Sequence, residues 1–267
     1  MSDHNQPDIH DDDAAGSPSE PPSPTGILVI DKPLGLTSTA VCNAIKARLR
    51  RGGAPKRVKV GHAGTLDPMA TGVLVILVGR AATRLADALM AGRKGYIAQI
   101  DLAHTSLSDD TEREPQPVEV ATPPTRADIE AALPRFIGTI MQRPPDHSAI
   151  LVDGRRAYKI ARKGRDPGLP ERPVLVHSID LLDYAWPRLT LDIACGKGTY
   201  IRSLARDLGT ALNTGGMLAA LRRTQVGPFT ISQARCLGEV PDPMSQADLS
   251  AVPDLDSSRP PDRRDPA

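Results

Sequence analysis

The sequence lacks any apolar stretch long enough to cross a bilayer as a helix. Its longest run, Val73 to Val78, is far short of the roughly 20 residues such a span needs. It also lacks the basic start of a signal peptide, since residues 1–26 hold six carboxylates and no Lys or Arg. The expected address is therefore the cytoplasm, with no membrane partner. Cysteine is scarce as well. Cys42, Cys195 and Cys236 stand alone with no C-x-x-C spacing, which argues against a disulfide framework and a thiolate zinc site. All three are expected to be small buried hydrophobes. No internal repeat is visible, and no heptad stripe demands self-association, so a monomer is expected.

What the sequence does have is an uneven distribution of charge. The formal net charge is only +1, but residues 1–26 carry −6 and residues 238–267 carry −4, which leaves 27–237 at +11. A body that basic expects a polyanion. Both ends are rich in Pro, Ser and Asp and poor in apolar residues, too poor to offset the entropy of ordering them. The organisation expected is a disordered acidic tail (1–25), one folded domain (26–237) and a disordered C-terminal tail (238–267).

Within the domain, strand and helix patterns alternate with turn signals, which predicts a mixed α+β fold. Ile27 to Ile30 reads as a strand ending in the turn Asp31-Lys32-Pro33. Thr37 or Ser38 caps a helix with Val41, Ile45 and Leu49 on one face. Tyr96, Ala98, Ile100 and Leu102 alternate as in a half-buried strand. Thr125 and Asp128 resemble a capping box ahead of Ile129, Leu133 and Phe136. Leu189, Leu191, Ile193 and Cys195 form the clearest alternating strand; it runs into Gly196-Lys197-Gly198, after which Thr199 is expected to open a helix carrying Ile201, Leu204 and Leu208. A phosphate-loop reading of Gly196-Lys197-Gly198-Thr199 fails, because the glycine required five residues before the Gly-Lys pair is absent.

The most informative stretch is Gly61-His62-Ala63-Gly64-Thr65-Leu66-Asp67-Pro68 with Met69-Ala70-Thr71-Gly72. The glycines permit close or left-handed backbone, and Pro68 drives Asp67 out of the helical region, so the loop presents one carboxylate rigidly. Taken alone, Leu-Asp-Pro is an ordinary turn in which Asp67 bonds nearby amides. The longer motif resembles the catalytic loop of the TruB family of tRNA pseudouridine synthases, and further signatures follow in family order. These are Asp31-Lys32-Pro33 before it, then Lys94-Gly95-Tyr96, Gly196-Lys197-Gly198-Thr199-Tyr200-Ile201-Arg202 and Leu221-Arg222-Arg223-Thr224.

The resemblance, over residues 26–237, implies a pseudouridine synthase fold: a mixed, mostly antiparallel sheet flanked by helices and loops, with the catalytic cleft on the sheet face. It implies isomerisation of a uridine in the T loop of tRNA, with no metal and no cofactor. Asp67 would be the essential carboxylate and Arg202 its salt-bridge partner; Tyr96 would stack on the target uracil and help remove its C5 proton. Tyr200 and Leu221 would line the pocket, Lys32 would brace the catalytic loop or contact RNA, and His62 would contact the T loop near the flipped base. Residues 142–173 would form a thumb over the T arm. From Arg143 to Arg172 eight basic residues face four acids, and Arg155, Arg156 and Lys159 are its expected phosphate contacts.

Three departures accompany the resemblance. His147 replaces an aromatic, Ser106, Leu107 and Glu112 replace Asp, Thr and Gly in the Thr105–Glu112 pattern, and Ala81-Ala82 contains one residue more than usual. The thirty residues after 237 leave no room for the family's RNA-binding PUA domain, whose absence is expected. The competing readings are a guide-dependent subunit of the dyskerin type and a non-catalytic RNA-binding or tRNA-folding module.

Overall fold

The computed structural model describes residues 23–252. The chain runs through β1 (Gly26–Lys32), α1 (Ser38–Arg51), β2 (Val60–His62), β3 (Ala70–Val78), the short helices α2 (Gly79–Arg84) and α3 (Ala86–Ala91), and β4 (Lys94–Asp101). Small strands β5 (His104–Thr105) and β6 (Gln116–Pro117) lead to α4 (Arg126–Ala132) and β7 (Gly138–Gln142). A ribbon of β8 (Leu151–Val152) and β9 (Arg155–Arg156), followed by α5 (Ala157–Ala161), precedes the long strands β10 (Arg172–Ala185) and β11 (Arg188–Cys195). The described chain ends with α6 (Ile201–Ala211), β12 (Met217–Val226), β13 (Phe229–Thr230) and β14 (Arg235–Cys236).

The fold is α+β, built on a mixed sheet ordered β14-β1-β3-β12-β4-β11-β10-β7, with β2 and β13 attached to β3 and β12. Only the β1/β14 and β3/β12 pairs are parallel. Sequence patterning explains the layers. Val73, Val75 and Leu77 of β3 pack with Ile27, Ala82, Leu89 and Val226 on one face, while Leu74, Ile76 and Val78 pack with Leu28, Ile30 and the Val41/Ile45/Leu49 face of α1 on the other. A strand covered on both faces reads as a continuous apolar run rather than an alternation. β4 and β11 instead alternate, because α4 and α6 cover one face through Ile129, Ala132, Ile201, Leu204 and Leu208. Thr37 caps α1 by accepting from Ala40 N, and the Thr125/Asp128 capping box starts α4.

Three expectations change. The folded unit does not stop at 237: Val240, Met244 and Leu249 are buried against α1, Arg48 donates to the carbonyls of Leu237 and Val240, and Ile27 bridges Ser250. Three spaced apolar residues thus anchor a stretch whose average composition is polar. Residues 1–22 and 253–267 lie outside the described residues. Cys42 and Cys195 are buried, but Cys236 is exposed, since it sits in a two-residue strand at the edge of the sheet. The helix after the glycine turn opens at Ile201, because Gly198 is left-handed (φ 87°) and Thr199 donates its hydroxyl to Leu175 O instead of capping.

Candidate active site

The loop between β2 and β3 presents Asp67, and other elements hold the backbone on both sides of it. Ser38, buried at the start of α1, donates its hydroxyl to Leu66 O at 3.0 Å and accepts from Leu66 N at 2.8 Å. Gly35 N donates to Pro68 O at 2.8 Å, and Ala70 N to Asp67 O at 3.0 Å. Arg223, on β12 and almost wholly buried, donates Nη2 to Gly64 O, Nη1 to Thr65 O and Nε to Val73 O. Gly72 adopts φ 99° and lies so close to the Arg223 backbone that no Cβ would fit. A loop restrained at this many points keeps its carboxylate in one geometry without reorganising when substrate arrives.

Arg202, in the first turn of α6, meets that carboxylate: its Nε lies 3.0 Å from Asp67 Oδ2. The same Nε lies 3.5 Å from Oδ2 of Asp110, a fully buried acid. The two Nη atoms donate to the carbonyls of Ser108 and His147. Asp110 is fixed in turn through Oδ1, which accepts from Ser108 Oγ at 2.6 Å and Glu112 N at 2.9 Å. The neighbouring acid, Asp109, is left-handed (φ 58°) and pairs at 2.9 Å with Arg206, one turn along α6. Two adjacent aspartates thus engage two arginines on one helix face. Of the two acids that meet Arg202, Asp67 is 35% exposed and Asp110 is fully buried, while Arg202 itself is 6% exposed.

The cleft beside Asp67 has a volume of about 330 Å³, at the small end of ligand-sized pockets of roughly 300–1,000 Å³. Tyr96, Tyr200, Leu221 and His147 line it, with Lys94, Lys197, Arg202 and Arg223 as its cations and Asp67 as its one acid. Burial pushes the Tyr96 phenol up, opposed by the neighbouring Arg223 guanidinium, so Tyr96 presents a neutral ring. The Tyr200 backbone is clamped by the Gln142 side chain, and Arg172 stacks over its ring at 5.5 Å. Among the described residues no group of three or more His, Cys, Asp or Glu side chains is placed to hold a metal, and no helix is long and apolar enough to cross a membrane.

The other expected site residues stand apart from the cleft. His62 is half-buried in β2, two residues before Gly64; its Nδ1 has no partner, and burial, with Arg223 nearby, holds its pKa down, so the ring is neutral. Lys32, placed by sequence as either a brace or an RNA contact, is fully buried. Its Nζ donates to the carbonyls of Pro33, Leu36 and Pro68, so it braces the loop, and its place among substrate-contacting residues is corrected. Arg155, Arg156 and Lys159 lie on the β8–β9 ribbon and α5. The ribbon turns through Asp153 and Gly154, both left-handed, a two-residue hairpin turn suited to strand twist. It joins the cleft wall directly, since Ala157 N donates to Ile150 O and Tyr158 N to Ser148 O.

A family model for TruB family pseudouridylate synthase (N terminal domain) matches residues 51–201, and one for the tRNA pseudouridylate synthase B C-terminal domain matches residues 202–251. The chain belongs to the TruB family. TruB relatives include the tRNA pseudouridine synthase B of Phocaeicola vulgatus, 43% identical over 85% of this chain and 96% of that protein. The corresponding protein of Arthrobacter sp. is 44% identical over 88% of this chain and 78% of its own length. Among solved structures, the crystal structure of a Cbf5-Nop10-Gar1 complex superposes with a TM-score of 0.61 at 30% identity, over 80% of this chain. This chain spans about half (53%) of that relative's length.

The TruB site contains residues that sequence reasoning did not single out. Ser38, Gln142 and Asp110 act by burial and by contacts 28, 58 and 92 residues away in sequence, which no local pattern announces. Arg223 stood in a recognised motif without an assigned role. Lys32 gives this buried layer a measurable signature. Burial lowers its pKa to about 8, with Asp67 opposing the shift and Arg223 adding to it. Between pH 8 and 10.5 the unfolded chain keeps a proton the folded chain has released, so stability gains with rising pH across that window. Urea unfolding of wild type and Lys32→Met should show wild type gaining on the order of 2 kcal/mol relative to the variant from pH 7.5 to 10.5. A difference that stays flat would rule out a desolvated ammonium at this position.

Proposed function

We propose that this protein isomerises a uridine in the T loop of tRNA to pseudouridine, alone and without a cofactor, with Asp67 as the reacting carboxylate. The observation that carries the reading is the pairing of a half-exposed Asp67 with a buried Arg202 beside a nucleoside-sized cleft. In the reaction the C1′–N1 bond breaks, the uracil turns, a C5–C1′ bond forms, C5 gives up its proton and N1 gains one. Atoms and electrons balance with no oxidant, reductant or water. Glycoside hydrolysis commonly uses two carboxyl groups, one of them to protonate the departing group. Here a single acid faces the cleft and the second, Asp110, is sealed behind Arg202. That arrangement favours keeping the detached base over releasing it.

The neutral ring of Tyr96 offers a stacking face for the uracil, and Leu221 and Tyr200 close the pocket around it. A neutral phenol is a weak base, so stacking is the role assigned first to Tyr96. The target nucleotide must leave its stack to reach Asp67. His62, neutral and two residues before Gly64 of the Asp67 loop, would meet the tRNA loop nucleotides that rearrange outside the cleft. The reading takes the enzyme to be a cytoplasmic monomer and residues 142–173 to be its thumb. Replacing Arg155, Arg156 and Lys159 by Ala should weaken tRNA binding and flatten its salt dependence by up to about 2 in slope. An unchanged slope would detach the thumb from RNA.

The decisive experiment mixes purified protein with an unmodified tRNA transcript, adds nothing else and maps pseudouridine. Product confined to one T-loop uridine, and absent from a transcript with cytidine there, supports the stand-alone enzyme. Tight binding with no product would favour a folding module, and activity that appears only with added guide RNA and proteins would favour the dyskerin type.

A further inference from the structure

The thumb, at +4 over residues 143–172, is not the most basic part of the folded body. Residues 32–100 contain twelve Lys and Arg but only two acids, Asp67 and Asp87, and so hold +10 of the +11 on residues 27–237. Part of that charge is spent internally: Lys32, Arg48 and Lys94 bond carbonyls, and Arg51 is paired with Asp242. Lys56, Arg57, Lys59, Arg80 and Arg84 remain exposed and make no ion pair among the described residues.

The fold gathers these five from two segments. β2 lies along the end of β3, Val60 opposite Val78, and Gly79 N donates to Lys59 O at 2.8 Å. Arg80 and Arg84 follow at once, on one side of α2. Like charges four apart on a helix oppose its formation unless something neutralises them. The strip lies five residues upstream of Gly64, which lines the cleft, so it starts roughly 15 Å from the cleft mouth at extended-chain spacing. In the sheet order the thumb springs from the β7/β10 end and the strip from the β3 end, with the β12/β4/β11 cleft between them.

We infer that this strip is a second RNA-backbone contact, holding the phosphates of the tRNA on the side of the cleft opposite the thumb. The inference rests on the proposed function in taking tRNA as the polyanion. Lys and Arg side chains without aromatic neighbours suit phosphates, which fix position and carry no sequence information. Two contacts flanking the cleft would hold the T arm on both sides while one nucleotide is drawn out between them.

The test measures tRNA affinity against salt concentration for wild type and for a variant with Lys56, Lys59, Arg57, Arg80 and Arg84 all changed to Gln. Neutralisation should weaken binding about tenfold or more near 0.1 M salt and reduce the slope of log K against log salt by about 2 or more, additively with the thumb variant. A charge-preserving set, Lys56→Arg, Lys59→Arg, Arg57→Lys, Arg80→Lys and Arg84→Lys, should restore the wild-type slope, which separates lost charge from disturbed folding. An unchanged slope in the Gln variant overturns the inference. Failure of wild type to form pseudouridine would sink the function instead, and the slope comparison would still stand as a binding result.

Discussion

Asp67→Asn should abolish pseudouridine formation, lowering the single-turnover rate by at least about 10⁴-fold, the scale on which removal of a reacting group acts. The substitution keeps the shape and one accepting oxygen, so the loop held by Ser38, Gly35 and Arg223 has no reason to move. What it removes is the negative charge that faces the cleft. Arg202 keeps Asp110 as a counter-charge, so its environment does not collapse. Affinity for tRNA should therefore change by less than about threefold, because phosphate contacts made far from the chemistry bind ground and transition states alike. Measurement needs a filter-binding isotherm and a product time course on one transcript. Residual turnover within about tenfold of wild type would remove Asp67 from the chemistry and with it the proposed mechanism.

How far the site could be read from sequence follows from what kind of contact makes each part of it. The Asp67 loop was legible because glycine, aspartate and proline act locally on the backbone, and β3 because six apolar residues in a row need cover on two faces. The Asp67–Arg202 pair, 135 positions apart, was reached through resemblance and not through any periodicity, and the structure brings the two side chains to 3.0 Å. Asp110 was hidden because it sits beside Asp109 in an irregular segment, and only the left-handed turn at Asp109 decides which arginine each meets. For Lys32 the sequence left bracing and RNA contact open, because lysine is seldom fully buried, yet three carbonyls converge on its ammonium here. The stretch after 237 was misread because an average over thirty residues conceals Val240, Met244 and Leu249, which meet α1 one at a time.

The buried arrangement around Arg202 makes the second large prediction, and its sign distinguishes charge from packing. Arg202→Met preserves most of the side chain's length and apolar contact but leaves Asp110 buried with no cation. Removing one partner of a buried pair costs about 3–5 kcal/mol, and each kcal/mol lowers Tm by about 2–4 °C in a domain of this size. Arg202→Met should thus melt roughly 6–20 °C below wild type, and it should form no product because Asp67 has lost its partner. If the deficit comes from the stranded carboxylate, adding Asp110→Asn should recover a large part of it, since an amide can still accept from Ser108 Oγ and Glu112 N. Asp110→Asn by itself should destabilise, because Arg202 would then have Asp67 alone. The double variant would be more stable than the sum of the single effects implies, a coupling of about 1–3 kcal/mol in the cycle. Catalysis should not return with stability, because the amide removes the stranded buried charge while Asp67 still lacks the Arg202 guanidinium. A double variant no more stable than Arg202→Met would mean that Arg202 holds this part of the fold through the Ser108 and His147 carbonyls alone, and that Asp110 is not the reason an arginine is needed there.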